Sequence, residues 1–278
     1  VGEFVDIHSH VLPAVDDGSP SIEVSLEMLR RASEEDIGAL VLTPHMKAGD
    51  GPEVEELHRV RFDELCVAVE EAGVPVELHL GCEIAFRFNM LEVVSWPSGH
   101  LADGRYVLID LPPGPLSPGL EQGFFELRSA GYRPILAHPE RHRQLARDPE
   151  HIGRLREQDL LLQVNAGSLL GRFGARAQGI AEMVVSKGWA DFVASDGHDL
   201  EKRPLTQLAA REIVAQLGGE NEVKRLFSDN PRQVISNGSV VRGEDAPRQR
   251  VPPPVKPRRS RKRKPGLLQR ILGRGSSR

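Results

Sequence analysis

Nine side chains able to hold a metal ion stand at or just past the ends of short apolar runs. They are His8 and His10 in DIHSH, Asp17 in AVDDG, His45 in TPH, Glu83 in GCEIAF, Asp110 in LIDLP, His138 in LAHPER, and Asp196 and His198 in ASDGH. A strand sends alternate side chains to one face, so His8 and His10 point the same way. Two imidazoles aimed together make a poor core, because each ring nitrogen needs a partner or a metal. Singly, each motif has a plain structural explanation. A His pair can be hydrogen-bonded, an Asp can sit in the turn after a strand, and tandem acids before a glycine, as in Asp16–Asp17, commonly form a turn. The repetition is what argues for one shared pocket.

His and carboxylate donors without Cys suit zinc, manganese or iron. Nine donors exceed one coordination shell and predict two or three ions. Closely spaced ions activate water and stabilise the attacking and leaving oxygens of an in-line displacement. Hydrolysis of a phosphate ester is therefore the expected chemistry. Arg141, three residues after His138, and Arg203, after the ASDGH loop, add guanidinium groups that match phosphate oxygens bidentately. The competing reading pairs Arg141 with Glu140 and Arg203 with Asp199 at the surface. Sulfur chemistry is excluded: six residues after Cys66 and Cys82 stand Ala72 and Phe88, not the Arg that a thiolate phosphatase loop needs.

The elements that must position these groups alternate. Strands are expected at 4–10, 39–45, 76–86, 106–111, 134–138, 160–165 and 192–195. Amphipathic helices are expected at 20–36, 52–72, 119–130, 149–157, 175–187 and 204–217. The first helix shows Ile22, Leu26 and Leu29 on one face, with Ser19 placed to cap it. Gly73, Gly131, Gly188 and Gly218 follow helical segments, as C-terminal glycines do. Seven strands interleaved with helices fit an α/β barrel or an open parallel sheet. The candidate ligands choose the barrel, because its C-terminal strand ends converge on one face. In an open sheet they could not all meet.

The chain has 278 residues, 39% hydrophobic and 27% charged, which reads as globular. No apolar stretch approaches the ~20 residues that span a bilayer, and no signal peptide is expected. Two isolated cysteines suit a reducing cytoplasm. The net charge of −4 hides an asymmetry: residues 248–278 carry 12 Lys and Arg and no acid, leaving 24 basic and 40 acidic residues in 1–247. Residues 1–244 are thus expected to form the catalytic domain. Residues 245–278, with PPP and KPRRSRKRKP, read as a disordered polybasic tail ending in a short Leu/Ile stripe. The tail suits an anionic membrane surface. Nucleic acid is disfavoured, since the tail has no aromatics for stacking and the body is acidic.

The motifs DIHSHVLPAVDDG, TPH, GCEI, LIDL, AHPER, QVNAGSL, ASDGH followed by RP, and DNP near Asn230 resemble, in order, the polymerase-and-histidinol-phosphatase (PHP) superfamily. The chain is more closely similar to its CpsB/CapC-type manganese-dependent protein-tyrosine phosphatases of bacterial capsule and exopolysaccharide systems. The likeness runs from about residue 6 to 230. It implies a distorted (β/α)7 TIM-like barrel, three metal ions held by the nine residues above, and phosphate binding by Arg141 and Arg203. It also implies a manganese cofactor, and a phosphotyrosyl protein partner that is itself a bacterial tyrosine kinase. The enzyme would be cytoplasmic, or peripheral at the inner face of the membrane, with self-association left open. Asp110 departs from the pattern, standing where relatives carry the longer Glu. The alternatives are a small-molecule phosphatase of histidinol-phosphate type and a non-catalytic scaffold at the membrane.

Overall fold

Parallel strands in this chain close on one another around an apolar plug. The computed structural model describes residues 2–243 apart from Ala48 and Phe88. Its first half runs β1 (Phe4–Ser9), α1 (Ile22–Glu34), β2 (Ile37–Leu42), β3 (His45–Met46), α2 (Pro52–Ala72), β4 (Glu77–Leu80), β5 (Glu83–Ala85), α3 (Met90–Val94), β6 (Tyr106–Asp110) and α4 (Leu120–Ser129). The second half runs β7 (Arg133–Ala137), α5 (Glu150–Glu157), β8 (Leu161–Asn165), α6 (Ala166–Leu169), α7 (Ala175–Ser186), β9 (Phe192–Ala194), α8 (Leu208–Gly218), α9 (Glu220–Lys224) and α10 (Asn230–Ile235).

Two sheets result, ordered β1-β2-β4 and β3-β5-β6-β7-β8-β9, parallel throughout. They are halves of one barrel. The strands expected at 39–45 and 76–86 are each broken in two, as β2/β3 and β4/β5. Pro44 has no N–H to give the ladder. At Gly81 an added Cβ would lie 2.7 Å from Leu101 Cδ2 and 3.1 Å from Leu101 Cα, so a side chain there would force Leu101 to shift. Backbone bonds from Gly81 N to Leu42 O (2.9 Å) and Glu83 N to Pro44 O (3.0 Å) carry the pairing across both breaks. On the other side His10 N donates to Gly197 O (2.8 Å) and Asp196 N to His8 O (2.9 Å), closing β1 against the end of β9. The result is a distorted (β/α)7 barrel.

The plug explains how the site is aimed. Val5, Ile7, Ala39, Val41, Tyr106, Leu108, Ile135, Ala137, Leu161, Phe192 and Ala194 form one buried cluster inside the barrel. Alternate residues of the same strands, such as Ile109, Leu136, Leu162 and Val193, pack outward against the helices. Along β6 and β8 the inward series therefore runs Tyr106–Leu108–Asp110 and Leu161–Gln163–Asn165. After β9 it runs Phe192–Ala194–Asp196. Each rises from apolar plug to polar mouth with period 2. β1 instead changes inward parity, from Val5 and Ile7 to His8 and His10, and a register irregularity lies between Asp6 and Ser9. Such bulges re-aim side chains.

Helix α1 begins two residues later than expected. Ser21 caps it, accepting from Val24 N, while the Ser19 hydroxyl donates to Ser21 O. Helix α8 begins at Leu208 rather than 204, because Thr206 Oγ1, Gln207 N and Leu208 N all donate to the Glu35 carboxylate. It includes Gly218, and Gly219, at φ 84°, is the residue that turns the chain. Although the apolar pattern thins after 230, α10 and the following strap remain part of the fold. Asn230 holds Val241 through both its N–H (2.9 Å) and its C=O (2.9 Å), and Tyr106 Oη donates to Gly238 O (2.7 Å). The strap crosses the N-terminal ends of the strands, the base of the barrel. The tail expected from residue 245 lies outside the described residues. No helix among the described residues is long and apolar enough to cross a membrane.

Candidate metal centre

The sequence spreads the nine candidates over 190 residues, and barrel closure brings eight of them into three groups. These are His10, Asp17, His45 and His198; His8, His10 and Asp196; and His8, Glu83 and His138. Within each group one ligand atom per residue lies within 4.8 Å of the others. Glu83 is central. Its Oε1 is 2.9 Å from His138 Nε2 and 3.4 Å from His8 Nε2, and its Oε2 is 2.9 Å from His45 Nδ1 and 3.4 Å from His10 Nε2. Asp17 lies at the solvent edge, 3.2 Å from His45 Nε2 and 3.7 Å from His198 Nε2. Asp110 alone stays outside the groups. Its Oδ1 is 3.7 Å from His138 Nδ1, in keeping with a side chain one methylene short.

The ring hydrogen bonds decide what the site accepts. His8 Nδ1 is 2.9 Å from Gln163 Oε1, and His10 Nδ1 is 2.8 Å from Asp16 Oδ2. Each acceptor demands a proton on Nδ1, which leaves both Nε2 atoms with free lone pairs in the neutral rings. Those Nε2 atoms face each other at 3.2 Å. Lone pairs so opposed require a shared cation or proton. Glu83 Oε2 and His198 Nε2 are buried without a hydrogen bond of acceptable geometry, which is the same demand again. The donors present therefore fit divalent ions.

Electrostatics agree. Burial alone would raise the Glu83 and Asp196 carboxyls, but the imidazoles around them, His8 foremost, hold both well below the usual range. Burial opposes a proton on His10, yet Asp16, Asp196 and Glu83 lift it well above an ordinary imidazole. Burial, joined by the His10 charge, pushes His198 down to about 3. The centre gathers buried anions that draw positive charge, and a divalent cation would supply it.

Two ligand candidates adopt left-handed backbone: His138 (φ 32°) and Asp196 (φ 51°). Non-glycine residues hold that conformation at a cost of ~1–3 kcal/mol, and only where the surroundings impose it. Asp196 is imposed upon from three sides. Its Oδ2 accepts from Arg141 Nη1 (2.5 Å), Arg203 Nη2 (2.7 Å) and Asn165 Nδ2 (2.7 Å). The surface pairings considered for these arginines do not form. Glu140 turns inward to Asn165 N and Ser168 Oγ, and Asp199 accepts from the backbone of 201–203. Arg141 is further held with its Cζ 4.2 Å from the centre of the Phe173 ring.

Residues outside the nine candidates support them. Gln163 and Asp16 orient His8 and His10, and Asp16 also accepts from His45 N. Asp16 is at once the turn residue its DDG context suggested, accepting from Gly18 N (2.9 Å), and a support for two candidate ligands. Buried Asp6 ties β1 to β9 by accepting from His8 N and Ser195 N. The signal available for Gln163 and Asn165 was inward parity on a strand ending at the mouth.

The family model for capsular polysaccharide synthesis, CpsB/CapC, matches residues 4–236. The tyrosine-protein phosphatase YwqE of Bacillus subtilis is 30% identical over 258 residues, covering 92% of this chain and 98% of YwqE. The tyrosine-protein phosphatase CpsB of Streptococcus pneumoniae is 28% identical over 238 residues, covering 84% and 98%. A chain from the crystal structures of YwqE and CpsB, described as metal-dependent tyrosine phosphatases, superposes with a TM-score of 0.80 at 29% identity, covering 88% of this chain and all of that one. A phosphotriesterase homology protein from Escherichia coli shares the fold alone, with a TM-score of 0.51 at 8% identity. With its ligand-rich barrel mouth and a family match over most of its length, this chain belongs to the CpsB/CapC family of capsular polysaccharide synthesis.

Proposed function

We propose that the protein hydrolyses phosphotyrosine in proteins with the help of two or three divalent ions, manganese foremost. Its substrate would be a bacterial tyrosine kinase governing capsule or exopolysaccharide synthesis. The observation that carries the reading is the convergence of Arg141 and Arg203 on Asp196, beside the three donor groups. The names of the relatives support the choice of phosphotyrosine.

His8, His10, Asp17, His45, Glu83, His138, Asp196 and His198 would hold the ions, with Asp110 completing the set at longer reach. The ions would supply Lewis-acid charge at the phosphate ester. Every other part belongs to the chain. Gln163 and Asp16 fix the ring orientations of His8 and His10. Arg141 and Arg203 present N–H donors to the phosphoryl oxygens, stabilising charge that grows in the transition state. Phe173 keeps Arg141 extended over the mouth. Tyrosine leaves as a phenolate with a pKa of about 10, so no strong general acid is required.

The protein is read as cytoplasmic. The twelve Lys and Arg after residue 247 would draw it to the anionic inner face of the membrane, each contributing roughly 1 kcal/mol near acidic lipid. The described fold ends at Gly243, at the base, so a lipid-held tail would leave the mouth open to a protein substrate. Turnover of a phosphotyrosyl peptide against histidinol phosphate, with and without Mn²⁺, tests the activity. Faster turnover of histidinol phosphate would favour the small-molecule reading, and full activity in excess chelator would sink both. Alkylating Cys66 and Cys82 should leave turnover intact. Co-sedimentation with anionic vesicles, for the full chain and a truncation at Asp245, tests the tail.

A further inference from the structure

The acidic body presents an arginine-lined cleft beside the mouth, and two of its arginines have no part in the proposed chemistry. The turn after β7 carries Arg141 and Arg143, and the start of α7 carries Arg176. Together with Phe173, Ala146 and Ala177 they line a cleft of about 360 Å³. Arg141 and Arg143 also line the neighbouring cleft of about 350 Å³ that contains Asp110 and His138, so the two hollows share one wall. Arg143 and Arg176 are exposed, and among the described residues neither has a hydrogen bond or ion pair. Other surface cations are paired in places, as Arg31 is with Glu27 and Arg154 with Asp148. One carboxylate lines the cleft, that of Glu140. It is buried, with Oε1 engaged by Asn165 N and Ser168 Oγ and Oε2 without a partner.

A body carrying 40 acids against 24 bases over residues 1–247 would generally repel an acidic protein segment. Unpaired guanidinium groups running outward from the phosphate-binding Arg141 reverse that locally. We infer that Arg143 and Arg176 form a specificity subsite for Asp or Glu side chains flanking the phosphotyrosine of a protein substrate. The subsite rests on the phosphotyrosine reading of the metal centre and deepens it. Arg143, on the shared wall, meets the acid nearest the scissile group, and Arg176 meets one farther along the chain. A small aryl phosphate held in the metal-side cleft does not extend to Arg176, which lies outside that cleft.

The test compares two phosphotyrosyl peptides, one with Glu at the flanking positions and one with Gln, together with p-nitrophenyl phosphate. All are turned over by the full chain loaded with Mn²⁺. The Glu peptide should show a KM about tenfold lower at low salt, an advantage that fades as salt is raised. Arg176→Ala should erase most of that advantage, leaving kcat and p-nitrophenyl phosphate turnover unchanged, and adding Arg143→Ala should erase the rest. Arg176→Glu should invert part of it. Equal KM values for the two peptides in the unaltered protein, or an equal loss on both in the double variant, would overturn the subsite. Failure to hydrolyse any aryl phosphate would instead sink the phosphatase reading. The subsite is then read directly, by fluorescence anisotropy of the labelled Glu and Gln peptides on the metal-free protein, where equal binding by wild type and double variant would reject it.

Discussion

The two ends of the barrel both bury charge and resolve it in opposite ways. At the base, fully buried Asp191 accepts from Leu162 N (3.0 Å) and lies 3.6 Å from Arg242 Nε and 4.0 Å from Arg156 Nη2. Arg225 donates to Glu222, to Ala190 O (2.7 Å) and to Val241 O (3.1 Å). These cations come from the chain itself, and Arg225 and Arg242 also donate to backbone carbonyls that stitch the strap to the strands. At the mouth the anions Glu83, Asp196 and Asp16 face imidazoles whose lone pairs are turned toward one another. Arg141 and Arg203 bring permanent positive charge to the Asp196 carboxylate, and both touch a single oxygen of it. The base finds its countercharges within the chain, although Asp191 Oδ1 and Arg242 Nε, 3.6 Å apart, do not form a hydrogen bond. The mouth is finished by what it binds.

Chelation should expose that difference most strongly. Stripping divalent metal is expected to abolish phosphotyrosine turnover and lower the melting temperature, with Mn²⁺ restoring both. His8→Ala should reproduce the loss with reduced metal content by elemental analysis. Unchanged melting on chelation would mean that the mouth, like the base, is satisfied by the chain alone.

Arg141→Ala comes next. Losing one preorganised donor to the phosphoryl group costs roughly 3–4 kcal/mol, on the order of 100- to 1000-fold in kcat. Metal content should be unaltered, which separates this variant from His8→Ala. Near-normal turnover would return Arg141 to the role of a neutralising partner for Asp196.

Asp16→Ala should act through His10. Removing an outer hydrogen-bond partner of a ligating imidazole typically lowers metal affinity or activity by about 10- to 100-fold. Added Mn²⁺ should recover part of the activity, and a metal titration followed by turnover would show it. No change in metal affinity would leave Asp16 as a turn residue only.

The base should be felt least in catalysis. Burial pushes the Asp191 carboxyl up to about 6, against the pull of Arg242, Arg156 and Arg225. An acid whose pKa is higher folded than unfolded binds more protons in the native state. Its contribution to stability is therefore complete below about 3.8 and is lost as pH rises through about 6. Asp191→Asn should remove this component, so the stability of wild type relative to the variant falls between pH 4 and 6 in denaturant titrations. The kcat of the variant should match wild type. A pH-independent difference would mean that the arginines keep Asp191 ionised throughout.

The candidate ligands were legible early because each sits at the end of an apolar run, and that placement is local information. The inward series Tyr106–Leu108–Asp110 and Phe192–Ala194–Asp196 follows from period-2 alternation alone. The supports were not legible in the same way. Gln163 acts on His8 across 155 residues, and nothing near either residue announces the pairing. Asp16 was readable as a turn, and it is one, but its second oxygen serves His10 and His45 only once the first two strands lie side by side. The strap was obscured for a related reason. Its hold depends on Asn230, Arg225 and Arg242 bonding to backbone, which leaves no apolar periodicity to read.

What the amino-acid order determined by itself is therefore the inventory: alternating strands and helices, His and carboxylate donors at strand ends, two arginines just beyond them, and a charge-segregated tail. Strand periodicity and side-chain chemistry are properties of neighbouring residues, so they survive in one dimension. Tertiary structure alone decided which candidate donors lie close enough to share an ion. Asp110 stands apart from the three groups, its Oδ1 3.7 Å from His138 Nδ1, a separation set only when β6 and β7 pair. Closure of β1 on the end of β9 sets His8 and His10 against Asp196, turning scattered donors into one anionic pocket whose demand for positive charge no pair of adjacent residues could create.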